Sequence, residues 1–397
     1  MKRFRRLLFE QTLPHCHFQP ISNLFCRFLL DFWELPHMIE RKKMSLKVQR
    51  FGGNPILGPR PGIQWRGTAR NPGVVYDGTK FHMVFTADSN PADGIIRLGY
   101  AHSTDGVHFT EREGIWMDHS FEPKDFDHAG CEDARVTFLD GRYYIAYAGR
   151  SLNGRDYASG TRRRGPNGNM NPTWTDNFRR VGLAVTDDFV TYEKLGPITS
   201  EHISDANVAL FPEKINGKYA MLHRPTAFIP WMLPLHYHPG CIWLAFSDDL
   251  THWSSNKREM PWDMIDGEDV MDEVLLMAPE KDWEVLKIGA SGVPIPTDDG
   301  WLMTYHAVDR QSVYRIGLVL LDREDPRKVI ARTPEPIFEP ADEWDFSKWG
   351  LSCVFPCSNV VVGDEVFMYY GCGDNYVSLA TFSLKEALAH VKQFRRY

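Results

Sequence analysis

Paired runs of alternating apolar and polar residues, joined by turns that contain glycine, recur along most of the chain. In each pair an apolar run, a short turn and a second apolar run follow one another, which is the pattern of a β-hairpin. The five pairs cover residues 75–85, 138–147, 214–223, 297–306 and 361–370. A period of two residues with turns at this spacing predicts antiparallel β-structure.

A third apolar run follows each hairpin, and three of the five end in a similar phrase. Small and apolar residues lead to Ser or Thr, then to Asp with Asp or Gly, and then to an aromatic residue. The three copies are residues 99–109, 182–192 and 243–253, and looser versions are residues 316–325 and 377–384. Ser, Thr and Asp side chains cap the backbone of such a turn, and we expect the aromatic residue to begin a fourth strand.

Each repeat therefore predicts a four-stranded antiparallel sheet. Five such sheets, of about 60 to 80 residues each, predict a radial arrangement of blades. A stacked β-sandwich is the competing architecture, but regular repeats of this length favour blades. No amphipathic helix of more than a few turns is predicted between Leu46 and Phe382. The predicted fold class is all-β, a five-bladed β-propeller that occupies residues 46–397.

The first 45 residues do not share this pattern. The apolar run after the basic residues 1–6 is broken at Glu10, too early for the core of a signal peptide. Charged residues also interrupt the stretch 21–35, which argues against a transmembrane span. We expect residues 1–45 to be a disordered or artefactual leader, with a short amphipathic anchor as the alternative.

Composition and charge narrow the classes of function. A hydrophobic fraction of 43% and a charged fraction of 24% are ordinary for a packed globular domain. The net charge of −7 argues against nucleic acid or an anionic membrane as a partner. The seven cysteines lack the spacing of a zinc site, and their odd number favours a reducing, cytoplasmic compartment. We predict no metal site and no cofactor.

Polar residues stand at the beginning of the first strand in several repeats. In a propeller the innermost strand of each blade lines the central channel, and we predict that the first strand is the innermost one. Converging carboxylates with a cation between them suit sugar chemistry, because one acid protonates a leaving oxygen while others hold hydroxyl groups. A solvated strand end with an ion pair is the alternative. The polar positions are Asn71, Glu132, Asp133, Arg135, Asp205 and Glu213.

Several segments carry a family resemblance that extends from about Gly53 to Leu388. Each segment is weakly informative by itself, but their order across five repeats is specific. They include residues 70–73, 132–135, 210–219, 223–225, 287–290, 354–356 and 370–374. On these segments the chain resembles glycoside hydrolase family 130, the β-mannoside phosphorylases and their hydrolytic relatives. That family has a five-bladed propeller fold, in agreement with the repeats.

The resemblance implies that Asp133 is the general acid and that it delivers its proton through the mannose 3-hydroxyl. It implies cleavage of an oligosaccharide β-mannoside by inorganic phosphate, with inversion, to α-mannose 1-phosphate. Phosphate is then a co-substrate, and it needs a cradle of cations rather than a second carboxylate base. The predicted cradle is Arg180, His223 and Arg224. The predicted sugar-binding residues are Asn71, Glu132, Arg135, Asp205, His306 and Asp374.

The sequence departs from the family pattern at several positions. Ala134 stands where proline is usual, and Thr86 stands where many members carry arginine. Ser204 and Asp205 stand where many members carry Asn-Lys-Asp, so one expected cation is missing. The long insert at residues 151–178, which contains three consecutive arginines, is predicted to form a loop over the site.

These departures leave two alternatives open. An inverting β-mannosidase, for example one acting on β-1,2-mannosides, would use a glutamate base, and Glu213 and Glu284 are the candidates. A propeller that only binds glycans is the second alternative, although Asp133 argues against it because a pure binder needs no acid. Linkage, aglycone and oligomeric state are not determined by the sequence, although the resemblance makes a homo-oligomer an expectation.

Overall fold

A computed structural model describes residues 45–88, 94–122, 125–150, 179–199, 204–226, 240–253, 273–348 and 350–395. The predicted leader lies outside these residues except for its last position, and the insert at residues 151–178 lies outside them entirely. No helix in the described ranges is both long enough and apolar enough to span a membrane.

The regular secondary structure of the described residues is mostly short strands. One α-helix, α1 (Leu384–Val391), follows the last strand and packs through Ala387 and Val391 against an apolar cluster. The strands, in chain order, are β1 (Gln49–Arg50), β2 (Arg70–Tyr76), β3 (Phe81–Asp88), β4 (Ile96–Ser103), β5 (Thr110–Glu111), β6 (Gly130–Leu139), β7 (Arg142–Arg150), β8 (Arg179–Thr186), β9 (Glu193–Pro197), β10 (Ser204–Leu210), β11 (Tyr219–Thr226), β12 (Ile242–Ser247), β13 (Glu273–Met277), β14 (Lys287–Ala290), β15 (Ile295–Thr297), β16 (Gly300–Val308), β17 (Tyr314–Leu321), β18 (Val329–Arg332), β19 (Val354–Val362), β20 (Glu365–Cys372) and β21 (Tyr376–Ser383). Three single-turn 3₁₀ helices are Asp282–Glu284, Glu343–Asp345 and Lys392–Phe394.

These strands form five antiparallel blades, and within each blade the strands pair in chain order. In the fourth blade β14 and β15 pair with the same partner strand, so they form one interrupted innermost strand. The first strands β19, β2, β6, β10 and β14 lie against one another in this order, which places them around the channel. The blades are β2–β5, β6–β9, β10–β13, β14–β18 and β19–β21 with β1. The predicted five-bladed β-propeller is confirmed.

The ring is closed by a strand from the beginning of the described chain. β1 pairs antiparallel with β21 and becomes the outermost strand of the last blade. Its Arg50 guanidinium donates to Asp345 Oδ2 at 2.9 Å and lies 4.1 Å from the centre of the Phe338 ring. The fifth blade is therefore assembled from both ends of the described chain.

The apolar core is divided among the blade interfaces. Five of its six clusters each join residues of two neighbouring blades. Between the third and fourth blades, for example, Phe211 and Trp301 meet edge to face with ring centres 5.0 Å apart. Each blade is therefore stabilised by packing against both of its neighbours.

The repeated Asp-containing phrase forms the predicted turn. In its three close copies the side chains of Asp105, Asp188 and Asp249 each accept hydrogen bonds from two backbone N–H groups, two and three residues further on. These side chains supply acceptors that the turn backbone would otherwise lack.

The innermost strands of the first three blades bulge near their first residues. The first bulged residue in each is Asn71, Asp133 or Asn207, with φ values of 49°, 55° and 62°. Among residues other than glycine, Asn and Asp adopt this left-handed conformation at the lowest cost. A bulge redirects a side chain out of the strand ladder. Polar side chains at these positions can therefore face the channel opening, here called the upper mouth, where the innermost strands begin.

The innermost strands approach each other closely at Gly73, which allows a steric test of their packing. A Cβ atom added there would lie 2.5 Å from the carbonyl oxygen of Ala134 in the neighbouring blade. We expect Gly73→Ala to lower the free energy of unfolding by about 1–3 kcal/mol because the backbone has to move. Gly52→Ala is the control, since no atom lies within 4 Å of its added Cβ. Equal urea-denaturation midpoints for the two variants would contradict this packing.

Candidate active site

Asp133 lies at the upper mouth, between the first and second blades. Its Oδ1 accepts a hydrogen bond from Asn71 Nδ2 at 2.7 Å and lies 3.7 Å from Arg70 Nη1. Its backbone N–H donates to the hydroxyl of Thr86 at 2.9 Å. The Asp133 side chain is 12% exposed, so a ligand in the channel can reach it. A fixed and accessible carboxyl group is what a general acid requires.

A second carboxylate approaches the same guanidinium from the fifth blade. Asp374 occupies the turn between β20 and β21, and its Oδ1 lies 3.7 Å from Arg70 Nη1. Its side chain is 49% exposed. Arg70 therefore stands between Asp133 and Asp374, and the three groups offer one donor and two acceptors to sugar hydroxyl groups.

Glu132 is the buried centre of an arginine cluster. Its side chain is 1% exposed, and three guanidinium groups surround its carboxylate. The closest contacts are 2.9 Å to Arg150, 2.5 Å to Arg179 and 3.4 Å to Arg70. Burial by itself would raise the pKa of Glu132, but these arginines hold it well below the usual range. Glu132 is therefore ionised and orients the arginines from below.

Three cations from different blades converge beside this cluster. They are Arg179 at the start of β8, Arg224 in β11 and Lys287 at the start of β14. Burial lowers the pKa of Arg224 to about 10, and nearby Arg179 contributes to the shift. Burial, Arg224 and Arg179 together lower the pKa of Lys287 to about 7. Lowering of the pKa of a cation by other cations nearby marks a region of positive potential.

These cations have little compensating negative charge. Within the part of the chain that the structure describes, Glu132 pairs with Arg179, but no carboxylate lies within 4.0 Å of Arg224 or Lys287. Arg224 Nη1 instead donates to His306 Nε2 at 3.1 Å, and Lys287 Nζ lies 5.0 Å from the centre of the Tyr314 ring. The group Arg179, Arg224 and Lys287, here called the cation cradle, is suited to bind an anion.

Comparison with known proteins identifies the family of the chain. Residues 63–393 match the family described as beta-1,4-mannooligosaccharide phosphorylase, which is glycoside hydrolase family 130. The chain belongs to glycoside hydrolase family 130. It is 35% identical over 347 residues to a 1,2-beta-oligomannan phosphorylase of Thermoanaerobacter sp. (strain X514), covering 86% of this chain and 99% of the relative. It is 33% identical to a beta-1,2-mannobiose phosphorylase of the same strain, covering 84% and 96%.

Solved structures of family 130 proteins support the fold. The beta-1,2-mannobiose phosphorylase from Listeria innocua, in complex with beta-1,2-mannobiose, has a TM-score of 0.67 at 24% identity, over 88% of this chain and 100% of that chain. A second family 130 structure, from work on hydrolases that target beta-1,2 mannosidic linkages in Candida mannan, also has a TM-score of 0.67, at 21% identity, over 86% and 95%.

The described contacts of Arg180, which was predicted for the cradle, lie outside it. Successive residues of a strand face opposite sides of the sheet, so Arg179 and Arg180 cannot both point to the site. Arg179 reaches Glu132, whereas Arg180 donates to the carbonyl oxygen of Thr199 at 2.6 and 3.1 Å and lies over the ring of Phe126. Of these two arginines, the preceding residue Arg179 is the one that lies beside Glu132.

His223, predicted to contact phosphate, and Asp205, predicted to contact the sugar, lie against each other. His223 is fully buried, with Nδ1 2.7 Å from Asp205 Oδ2 and Nε2 2.7 Å from Glu273 Oε1. Both ring nitrogens therefore face carboxylates of the same blade. Arg224 is the one member of the predicted cradle that remains in it.

Arg135 and His306 both contact neighbouring groups of the site. Arg135 is buried and donates to the carbonyl oxygens of Asp133, Ala290 and Ser291, which joins the second and fourth blades. Burial and the nearby Arg224, Lys287 and Arg135 hold the pKa of His306 well below its usual range. His306 is therefore neutral and accepts the hydrogen bond from Arg224.

The two glutamates predicted for a hydrolase lie away from Asp133. Glu213 is 48% exposed, follows the far end of β10 and pairs with Arg323. Glu284 is fully buried, pairs with Arg332 at 2.7 Å and accepts from the Tyr305 hydroxyl at 2.8 Å. Both glutamates therefore have partners of their own, and their role as bases stays a prediction.

Sequence reasoning missed Arg70, Arg179 and Lys287 as site residues. Arg70 and Lys287 are the first residues of innermost strands, so the rule that selected residues 132–135 would have found them. Arg179 directly follows the insert at residues 151–178, where no periodic pattern fixes which side of the strand a residue faces.

The arginine cluster predicts a pH-dependent stability difference. We expect Glu132→Gln to lower the free energy of unfolding at pH 7 by about 3 kcal/mol, because three guanidinium groups lose their counter-charge. The native pKa of Glu132 is depressed, so its contribution is present above the unfolded-state value of 4.5 and is lost as the pH falls below that value. The gap between wild type and variant should therefore shrink in acid.

Urea denaturation at several pH values measures this gap. The exposed Glu365→Gln is the matched control and should differ little from wild type at any pH. A constant gap between wild type and Glu132→Gln from neutral pH down to about pH 3 would show that Glu132 is not held ionised by its arginines.

Proposed function

We propose that this protein is a glycoside phosphorylase that cleaves β-mannosides with inorganic phosphate, with inversion, to release α-mannose 1-phosphate. The observation that carries the proposal is the cation cradle of Arg179, Arg224 and Lys287, which shares the upper mouth with Asp133. The names of the most similar curated relatives support it, since they are phosphorylases of β-mannosides. Phosphate is a co-substrate in this scheme.

The sugar is held beside the acid. Asn71, Arg70 and Asp374 surround Asp133 and supply donors and acceptors for the hydroxyl groups of the mannose to be transferred. Charged partners strengthen such hydrogen bonds, and their convergence from the first, second and fifth blades fixes the ring orientation.

The chemical step is a single displacement at the anomeric carbon. A phosphate oxygen forms the new bond to C1 while the bond from C1 to the glycosidic oxygen breaks. Asp133 gives a proton to the departing oxygen, directly or through the mannose 3-hydroxyl, and is left as a carboxylate. One displacement inverts the configuration, so a β-mannoside gives the α-phosphate.

The cradle replaces the base that a hydrolase needs. Water has to lose a proton to attack, which requires a second carboxylate about 6.5–9.5 Å from the acid. Phosphate is already an anion and needs positioning and charge neutralisation instead. Because Glu213 and Glu284 are held elsewhere, the proposed site favours phosphate over water as the nucleophile.

The linkage we propose is β-1,2. The two curated relatives with the highest identity given above are named for β-1,2-linked mannosides, whereas the family description names β-1,4-linked ones. β-1,2-Mannobiose and β-1,2-mannotriose are therefore the first substrates to test, with β-1,4-mannobiose as the comparison.

Product analysis with and without inorganic phosphate tests the proposal. We expect α-mannose 1-phosphate from β-1,2-mannobiose only when phosphate is present. Asp133→Asn should lower kcat about 10²–10⁴-fold, because the departing oxygen then leaves unprotonated. Asp248→Asn, whose side chain is 87% exposed, is the control and should retain wild-type kcat. Free mannose at a phosphate-independent rate, or full turnover by Asp133→Asn, would contradict the proposal.

The lowered pKa of Lys287 predicts that phosphate binding depends on pH. Its pKa is lowered to about 7, so the ammonium group loses its proton as the pH rises through that value. We expect KM for phosphate to rise above pH 7 in the wild type and to rise less in Lys287→Arg, which stays charged. Lys287→Met should raise KM about tenfold or more even at low pH, through loss of one charge.

Comparing the two proteins at each pH removes the titration of phosphate itself, which is common to both. The ratio of KM values for wild type and Lys287→Arg is the quantity to measure between pH 6 and pH 9. A ratio that does not change with pH would exclude Lys287 from the cradle.

A further inference from the structure

Three ionisable side chains are buried together behind the cation cradle. Asp205 in β10, His223 in β11 and Glu273 at the start of β13 all belong to the third blade. Each carboxylate has an oxygen 2.7 Å from one nitrogen of the imidazole. The side chains are at most 3% exposed, so neither phosphate nor a sugar can reach them directly.

Such a group is costly to bury unless its charges pair with one another. Burial would lower the pKa of His223, but the two carboxylates outweigh it and raise the pKa to about 10. The imidazole is therefore a cation clamped between two anions. Apolar residues could fill the blade core instead, so the presence of three ionisable side chains there requires an explanation.

Asp205 connects this group to the cradle. Its Oδ2 faces His223, while its Oδ1 accepts the backbone N–H of Arg224 at 3.0 Å and that of Ala206 at 2.8 Å. Next along β10 comes the bulge at Asn207. Asp205 therefore fixes the backbone of Arg224 at the point where the strand pairing is interrupted.

His223 and Arg224 are consecutive in β11 and face opposite sides. The His223 side chain enters the blade, where Asp205 of the neighbouring β10 and Glu273 of β13 hold it. The Arg224 side chain extends toward His306 and Arg179, on the cradle side. Clamping His223 therefore also sets the direction in which Arg224 leaves the strand.

We propose that Asp205, His223 and Glu273 form a positioning triad that holds Arg224 in place for phosphate, and so sets phosphate affinity without contacting either substrate. This inference rests on the proposed function, because it takes phosphate as the anion of the cradle. A positioning group of this kind changes the affinity for the ligand of the residue it holds. The affinity for the mannoside, which is held by residues of other blades, should change little.

Substitutions at Asp205 separate positioning from general support of the fold. Asp205→Ala removes the acceptor of the Arg224 N–H, and we expect it to raise the Kd and KM for inorganic phosphate about tenfold. Asp205→Asn keeps an acceptor oxygen and should stay within about threefold of wild type. KM for the mannoside should change less than about twofold in both.

Asp127→Ala is the matched control. Asp127 is equally buried, pairs with Lys194 at 2.7 Å in the second blade and makes no contact with Arg224. Asp127→Ala should lower the urea-denaturation midpoint as Asp205→Ala does. It should not selectively raise the Kd and KM for phosphate. If both variants shift phosphate and mannoside constants alike, the triad has only a structural role and the inference is wrong.

A double-mutant cycle with Arg224→Ala tests whether the triad acts through that residue. If it does, Asp205→Ala should have almost no further effect on phosphate binding once Arg224 is gone. Additive effects of the two substitutions would overturn the inference.

Calorimetric titration with inorganic phosphate distinguishes a failure of this inference from a failure of the proposed function. Phosphate binding that Asp205→Ala weakens, without phosphate-dependent turnover, would uphold the triad and refute the phosphorylase. Phosphate-dependent turnover with no selective effect of Asp205→Ala would refute the triad alone. Absence of phosphate binding by the wild type would refute both.

Discussion

The buried carboxylate of Glu132 is the interaction on which the site depends. It lies among Arg70, Arg150 and Arg179, which would repel one another without it. Arg70 extends toward Asp133 and Asp374, where the sugar is proposed to bind, and Arg179 extends into the cradle for phosphate. One anion thus fixes the cations of both half-sites relative to each other.

The propeller supplies the geometry that this cluster needs. Each innermost strand begins at the upper mouth, and the first three bulge there, so residues that are distant along the chain meet in space. The left-handed backbone at Asn71 and Asp133 turns their side chains toward each other instead of into the strand ladder. The first residues of β6 include charged side chains because they belong to the site. The rest of that strand is mostly apolar because it belongs to the blade core.

Much of this could be predicted from the sequence, and what could not be predicted has physical causes. The turn pattern repeats with the blades, so the fold, the innermost strands and the position of Asp133 at their mouth were predictable. The contacts of these residues with partners from other strands were not predictable. His223 looked available for phosphate because its second carboxylate, Glu273, lies fifty residues away along the chain. Glu284 looked like a base because nothing local reveals the buried Arg332 that neutralises it.

We propose that Asp133 and the cation cradle act on opposite sides of one glycosidic bond. A crystal structure of Asp133→Asn with β-1,2-mannobiose and phosphate tests this proposal most directly. We expect phosphate in contact with Arg179, Arg224 and Lys287, facing the anomeric carbon from the side opposite residue 133. Phosphate bound elsewhere, or a mannose ring whose glycosidic oxygen and 3-hydroxyl both lie beyond reach of residue 133, would contradict it.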